Sequence, residues 1–215
     1  AKYADLLVKF ALNGGEGVQP GEVVQAVIPD IAKPLYKEIQ RAILESGAHP
    51  KLHFIATETD GMFFELANEN QLTFFPEAFK RAEADLIDHQ ISIIADVNPS
   101  ELKDVNPEKI FKAMDARKKY RDWLNDKDSD GKFTWTLALY GTEGMAKEAG
   151  MNLEEYWAQI IYGCYLDSED PIAQWRKIQK EQERVKANLD ALQIEKVHVE
   201  GAHIDLFVQI GKNRR

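Results

Sequence analysis

Only one cysteine, Cys164, stands among the 215 residues, so no intrachain disulfide can form, as suits a reducing compartment. A basic excess is also missing. There are 27 Lys and Arg against 36 Asp and Glu, a net charge of −9, which argues against a non-specific nucleic-acid binder. No apolar run approaches the ~20 residues that span a bilayer. Residues 1–12 carry Lys2, Asp5 and Lys9 among apolar residues, where a signal peptide would be uninterrupted. These absences predict a cytoplasmic protein with neither a nucleic-acid nor a membrane partner. No internal repeat or low-complexity segment interrupts the chain.

What is present is an ordinary globular composition, 44% hydrophobic and 29% charged, in a chain long enough for one large domain or two small ones. Leu6, Leu7, Phe10 and Ala11 share one face of a short helix that stops at Asn13-Gly14-Gly15. Residues 22–28 read as a buried strand. Pro34 opens a helix with Leu35, Ile39, Ala42 and Ile43 inward, ending at Ser46-Gly47. Residues 52–57 form the next strand, and 63–66 a weaker strand candidate. A helix over 77–88 precedes a strand over 91–97, which is apolar almost throughout and so expected to be covered on both faces. Asn106 caps a helix with Pro107 in its first turn, predicted to run to about Leu124. A strand over 133–140 follows. Strands separated by amphipathic helices imply crossover connections and a mostly parallel sheet with flanking helices, an α/β fold.

The last third is helical. Asn152 and Glu155 have the spacing of a capping box for a helix to about Leu166. Asp170 and Pro171 start another, in which Trp175, Ile178, Gln182, Val185, Leu189 and Leu192 repeat at alternating three- and four-residue steps. That is one seam along roughly six turns, with Gln182 its polar member. Residues 197–200 and 204–210 read as a C-terminal β-hairpin around Gly201-Ala202.

Several motifs invite a chemical reading. Asp126, Asp128, Asp130 and Gly131 copy the first half of a calcium loop, but the twelfth position, which needs a bidentate glutamate, is Leu137 in an apolar strand; a polar turn fits better. His198, Glu200, His203 and Asp205 match no established zinc spacing and read as a solvated hairpin face. Gly14, Gly15, Gly17 and Gly21 precede a strand, whereas a dinucleotide fingerprint follows one. No Gly-Lys-Ser/Thr phosphate loop occurs, so these glycines are turn formers. Cys164 has no base beside it in sequence, since His49, His53 and His89 are far along the chain; it reads as packing. Lys109, Lys112, Arg117, Lys118, Lys119 and Arg121 make a basic helix, read as a solvated face, with an anion-facing wall as the alternative. Tyr156, Trp157, Tyr162 and Tyr165 read as core or interface aromatics. No complete catalytic constellation emerges, and no catalytic, cofactor-binding or metal-binding residue is assigned.

Residues 135–149 (WTLALYGTEGMAKEA), followed by 151–156 (MNLEEY) and 170–175 (DPIAQW), resemble the thermophilic-type metalloaminopeptidases, the group that includes aminopeptidases T and S. Residues 4–12 (ADLLVKFAL), 17–22 (GVQPGE) and the strand from Asp88 to Asn98-Pro99 are similar as well, so the likeness covers most of the chain. One departure is Gly141, where that family usually has proline after the tyrosine.

The resemblance implies a two-domain exopeptidase that removes N-terminal residues from peptides, with two divalent metal ions (zinc, cobalt or magnesium) held by Glu, His and Asp. It also implies a catalytic tyrosine, and places all of these in a second domain absent from this chain. Residues 1–215 would then be a single N-terminal domain that helps wall a cavity enclosed by a homodimer, inactive alone and with no metal of its own. The alternatives are a stand-alone α/β module binding a nucleotide or small anion at the carboxyl ends of its strands, or an assembly domain acting through its helical last third.

Overall fold

A computed structural model describes residues 1–192 and 194–210. The terminal Lys212–Arg215, where the sequence ends, lies outside the described residues. The chain divides into two compact units, 1–172 and 173–215.

The first unit is built on a four-stranded parallel sheet in the order β2-β1-β3-β4, with β1 at Val23–Pro29, β2 at His49–Ile55, β3 at His89–Ile94 and β4 at Thr134–Leu139. Parallel neighbours cannot be joined by tight turns, so helices carry every connection. α1 (Lys2–Lys9) precedes the sheet and α2 (Lys33–Glu45) joins β1 to β2. α3 (Asp60–Leu66), α4 (Glu69–Leu72) and α5 (Glu77–Leu86) lead to β3, and α6 (Pro107–Ala116) and α7 (Lys118–Ser129) lead to β4. α8 (Glu143–Glu148) and α9 (Leu153–Gly163) follow.

The main core forms where α1 and α2 lay their apolar stripes on the sheet. Val24, Ala26 and Ile28 of β1 and Ile91 of β3 are fully buried against Val8, Ile39 and Ile43, joined by Leu7, Leu35 and Ile160. At about 25 cal/mol per Å2 of apolar surface removed from water, these side chains dominate the stability of the unit. A smaller cluster of Phe64, Ala67, Leu72 and Ala113 fastens α3, α4 and α6 together.

Three expectations are corrected. Residues 63–66 are helical, closing with Ala67 N–H donating to Phe63 O at 2.9 Å, because Phe64 packs in the smaller cluster and not on the sheet. The helix predicted over 106–124 is two helices meeting at Arg117, since α6 packs on α4 while α7 packs on α5. β3 begins at His89 and alternates: His89, Ile91 and Ile93 are buried, while Gln90, Ser92 and Ile94 are partly exposed. Its second face is therefore only partly covered, and Gln90 Nε2 donates to Ser92 Oγ there at 2.9 Å.

α10 (Pro171–Ala191) is a single helix of 21 residues. In the second unit β5 (Lys196–Gly201) and β6 (Ile204–Gln209) pair as an antiparallel hairpin, with Val197 opposite Val208 and Val199 opposite Leu206. The observed fold is thus the expected one: α/β, a parallel sheet with flanking helices, a helical later part and a C-terminal hairpin.

Candidate functional site

Strand order fixes where a ligand-facing surface can lie. The chain passes from β1 to β2 on one side, then crosses to β3 on the other, so the direction of winding reverses between β1 and β3. Loops leaving the carboxyl ends of such a pair diverge and leave a crevice. Here the diverging loops start at Pro29-Asp30 and Ala95-Asp96, and those from β2 and β4 flank them.

The loops are tied down from within. Asp30 Oδ1 accepts from the Thr57 hydroxyl at 2.8 Å, from Ile31 N at 2.9 Å and from Thr57 N at 3.3 Å, linking the exits of β1 and β2. The Thr57 hydroxyl, with those backbone donors, holds the Asp30 carboxyl below the usual carboxylate range. The buried Thr142 caps α8: its Oγ1 accepts from Met145 N at 3.2 Å and donates to Asp96 O, linking the exits of β3 and β4. Glu101 Oε1 accepts from Gly61 N at 2.7 Å, joining the loop after β3 to α3. Asp30 and Asp96 remain exposed on this edge.

Two glycines set the shape of the β4 exit. A Cβ on Gly144 would lie 2.1 Å from Val97 O, so the first turn of α8 can approach the β3 loop only with no side chain there. A Cβ on Gly141 would meet Trp157 Nε1 at 2.9 Å and the Tyr156 ring at 3.1 Å. Trp157 stands edge-on to Tyr140, ring centroids 5.1 Å apart. The glycine that departs from the resemblance therefore makes room for an indole that proline would displace.

The amino end of the sheet is closed by a hydrogen-bond chain across three strands. His89, 4% exposed, bonds through Nε2 to Glu22 Oε2 and through Nδ1 to Thr134 Oγ1, each at 2.8 Å. Asn13 N donates to Thr134 Oγ1 and Gln19 N donates to Glu22 Oε2. An imidazole with its proton on Nε2 fits every member: Thr134 donates to Nδ1, and Glu22 accepts from Nε2. On the flank of the sheet Glu83, also 4% exposed, accepts from Lys51 at 2.6 Å and from Lys80 at 2.7 Å. Burial pushes its carboxyl up, but the two ammonium groups outweigh that and hold it below the usual range. The half-buried His53 is shifted down by burial and by Lys80. None of these networks was legible in the sequence, because their partners lie far apart along it; only Lys80–Glu83 has a local signal, its helical i,i+3 spacing.

Asp126 and Asp128 lie in the last turn of α7 and Asp130 caps it, 3.2 Å from Lys132; nothing there forms a calcium loop. Gly17 takes φ +71° with its Cβ position 2.5 Å from the Lys9 carbonyl, so it is a turn glycine against α1. Cys164 caps α9, half-buried, and burial pushes its thiol up, away from the reactive thiolate. Tyr156 and Trp157 pack against the main core, while Tyr162 is 73% exposed.

The basic stretch keeps the solvated face expected of it, with Lys112, Arg117, Lys118, Lys119 and Arg121 exposed, and several of these cations have partners on that surface. Lys109 donates to Phe64 O at 2.6 Å, Lys112 pairs with Glu69 at 2.8 Å, Lys119 pairs with Glu77 at 2.9 Å and Arg121 donates to Met114 O. Further along, Lys127 reaches the Ala84, Asp85 and Ile87 carbonyls at the end of α5, where a cation meets the negative pole of the helix. On the hairpin, His198 Nε2 is 2.6 Å from Asp205 Oδ1 and its ring stacks on Phe207 at 3.9 Å. Among the described residues no three His, Cys, Asp or Glu side chains converge to hold a metal ion. Nor is any helix among them long and apolar enough to cross a membrane.

A parallel α/β unit with an open carboxyl edge, followed by a long helix and a hairpin, defines the class. The sequence profile of the thermophilic metalloprotease family (M29) matches residues 1–215, so the chain belongs to that family of metal-dependent peptidases. It is 28% identical over 189 residues to Aminopeptidase 2 of Geobacillus stearothermophilus, covering 82% of this chain and 44% of that protein. Its fold is similar to the solved structure of wild-type AmpT from Thermus thermophilus, with a TM-score of 0.79, 22% identity, and coverage of 97% of this chain and 52% of that one. The chain thus spans about half the length of the relatives it matches.

Proposed function

We propose that residues 1–215 act as the N-terminal α/β domain of a cytoplasmic, metal-dependent aminopeptidase that removes N-terminal residues from peptides. In this reading the domain walls the substrate cavity and takes part in a homodimer. The two divalent ions (zinc, cobalt or magnesium) and the catalytic residues belong to a second domain. The observation that carries it is an asymmetry of coverage: the likeness takes in nearly all of this chain and only about half of each relative.

Metal-assisted peptide hydrolysis needs ligands that fix the cation and an activated water beside the scissile carbonyl. What this chain offers is a rigid sheet with its loops cross-tied at the carboxyl edge by Asp30, Thr57, Asp96 and Thr142. That edge suits a wall: its backbone is held while its face stays open. Assay of the purified 215-residue chain on aminoacyl-anilides, with zinc or cobalt supplied, is expected to give no turnover. Clear turnover abolished by a chelator would overturn the reading.

A further inference from the structure

A cleft of about 270 Å3 opens between the C-terminal halves of α5 and α7. Arg81, Ala84 and Asp85 line it from α5, Trp123 and Asp126 from α7, and Lys132 from the turn before β4. Pockets for drug-sized ligands begin near about 300 Å3, so this one suits a molecule the size of a single residue. Its walls are fixed to each other, because Lys127 ties α7 to the carbonyls at the end of α5.

Most of the charge in the cleft is already committed. Arg81 forks onto Asp85, through Nε at 3.1 Å and Nη2 at 2.9 Å. Its guanidinium lies over the Trp123 ring, 5.2 Å from the centroid, and is held there by both neighbours. Lys132 is 3.2 Å from Asp130. Two groups of opposite sign are left over. Among the described residues nothing pairs with the Asp126 carboxylate, and Arg81 Nη1 donates to no acceptor.

These leftovers select the ligand. A lone anion would meet the Asp126 carboxylate, and a lone cation would meet Arg81 and Lys132. A molecule that carries an ammonium and a carboxylate together satisfies both sides. The half-buried Trp123 adds an apolar surface beside them. Both charges on one small molecule with an apolar side chain describe a free α-amino acid.

We propose that the cleft between α5 and α7 binds a free α-amino acid, its ammonium against Asp126 and its carboxylate against Arg81. The site goes beyond the peptidase reading, which supplies a source for the ligand, since removal of an N-terminal residue releases an amino acid.

The test is titration of the nitrogen-15-labelled 215-residue chain with L-leucine, followed by NMR at the Trp123 indole N–H, which Trp123→Phe assigns. A saturable shift with a Kd of about 1 mM is expected, because exposed charges attract weakly. N-acetyl-L-leucine lacks the ammonium and L-leucinamide lacks the carboxylate; each should bind about tenfold more weakly. Asp126→Asn should weaken L-leucine about tenfold and leave N-acetyl-L-leucine unchanged, and Arg81→Gln should do the same with L-leucinamide as the insensitive ligand. No saturation at about ten times that Kd, equal affinity for leucine and both blocked analogues, or leucine binding untouched by Asp126→Asn would each overturn the proposal. The measurement involves neither metal nor turnover, so its failure leaves the peptidase reading as it stood.

Discussion

The two ends of the parallel sheet are built differently. At the amino end a buried imidazole spans three strands, and each polar partner meets another inside the protein. At the carboxyl end the hydrogen bonds tie loop to loop and leave Asp30 and Asp96 facing water. Buried polar groups are costly when unpaired and rigid when fully paired. The amino end is therefore the more closed of the two, and the carboxyl end keeps exposed carboxylates on a held backbone.

The comparison breaks most readily at His89. His89→Ala removes a buried ring and takes one hydrogen-bond partner from each of Glu22 and Thr134, and is expected to cost about 3 kcal/mol, read by urea unfolding of the 215-residue chain. A cost near zero would mean the amino end is not the closed network described here.

Glu83 tests the flank between the two ends. Its carboxyl is ionised at lower pH in the folded chain than in the unfolded one. The stability it contributes is fully present above the unfolded value of about 4.3 and is lost as pH falls through the folded value. Its lysines keep 27% and 24% of their side chains exposed and can turn to water, so Glu83→Gln should cost only about 1–2 kcal/mol at neutral pH. The gap between variant and wild type should close in acid, and a gap independent of pH would contradict the ion triad.

The smallest effect belongs to the carboxyl edge. Asp30→Asn should lower the unfolding midpoint only slightly, since the carboxylate faces solvent and an amide oxygen can still accept from Thr57. A large loss there would erase the distinction between the two ends.

Much of this architecture was legible residue by residue. The capping box of Asn152 and Glu155 has both of its bonds, at 2.9 Å each. Asn106 caps α6 ahead of Pro107, as its position implies. Alternating strand and helix patterns led to the parallel sheet because crossover geometry leaves few other solutions. Phe63 to Leu66 misled because four residues, apolar but for one, suit a strand and a helical turn alike, and only the burial of Phe64 in the smaller cluster decides. The break at Arg117 escaped notice because capping signals mark only the outer ends of 106–124, while the two halves answer to different neighbours.

The polar networks were hidden for a different reason. His89 meets Glu22 and Thr134 across 67 and 45 positions, distances at which spacing says nothing and only strand order brings side chains together. The basic stretch has the solvated face its composition implies, with Lys112, Arg117, Lys118, Lys119 and Arg121 exposed. Its charge was plain, but its partners on α3, α4 and α5 depended on packing that no local pattern encodes.

Dialysing the purified chain against zinc or cobalt and measuring the metal retained tests the central claim most directly, that these residues are scaffold and that the chemistry resides in another domain. No stoichiometric retention is predicted at neutral pH. One or two ions held tightly per chain, and released by substituting histidines or carboxylates within residues 1–215, would contradict it.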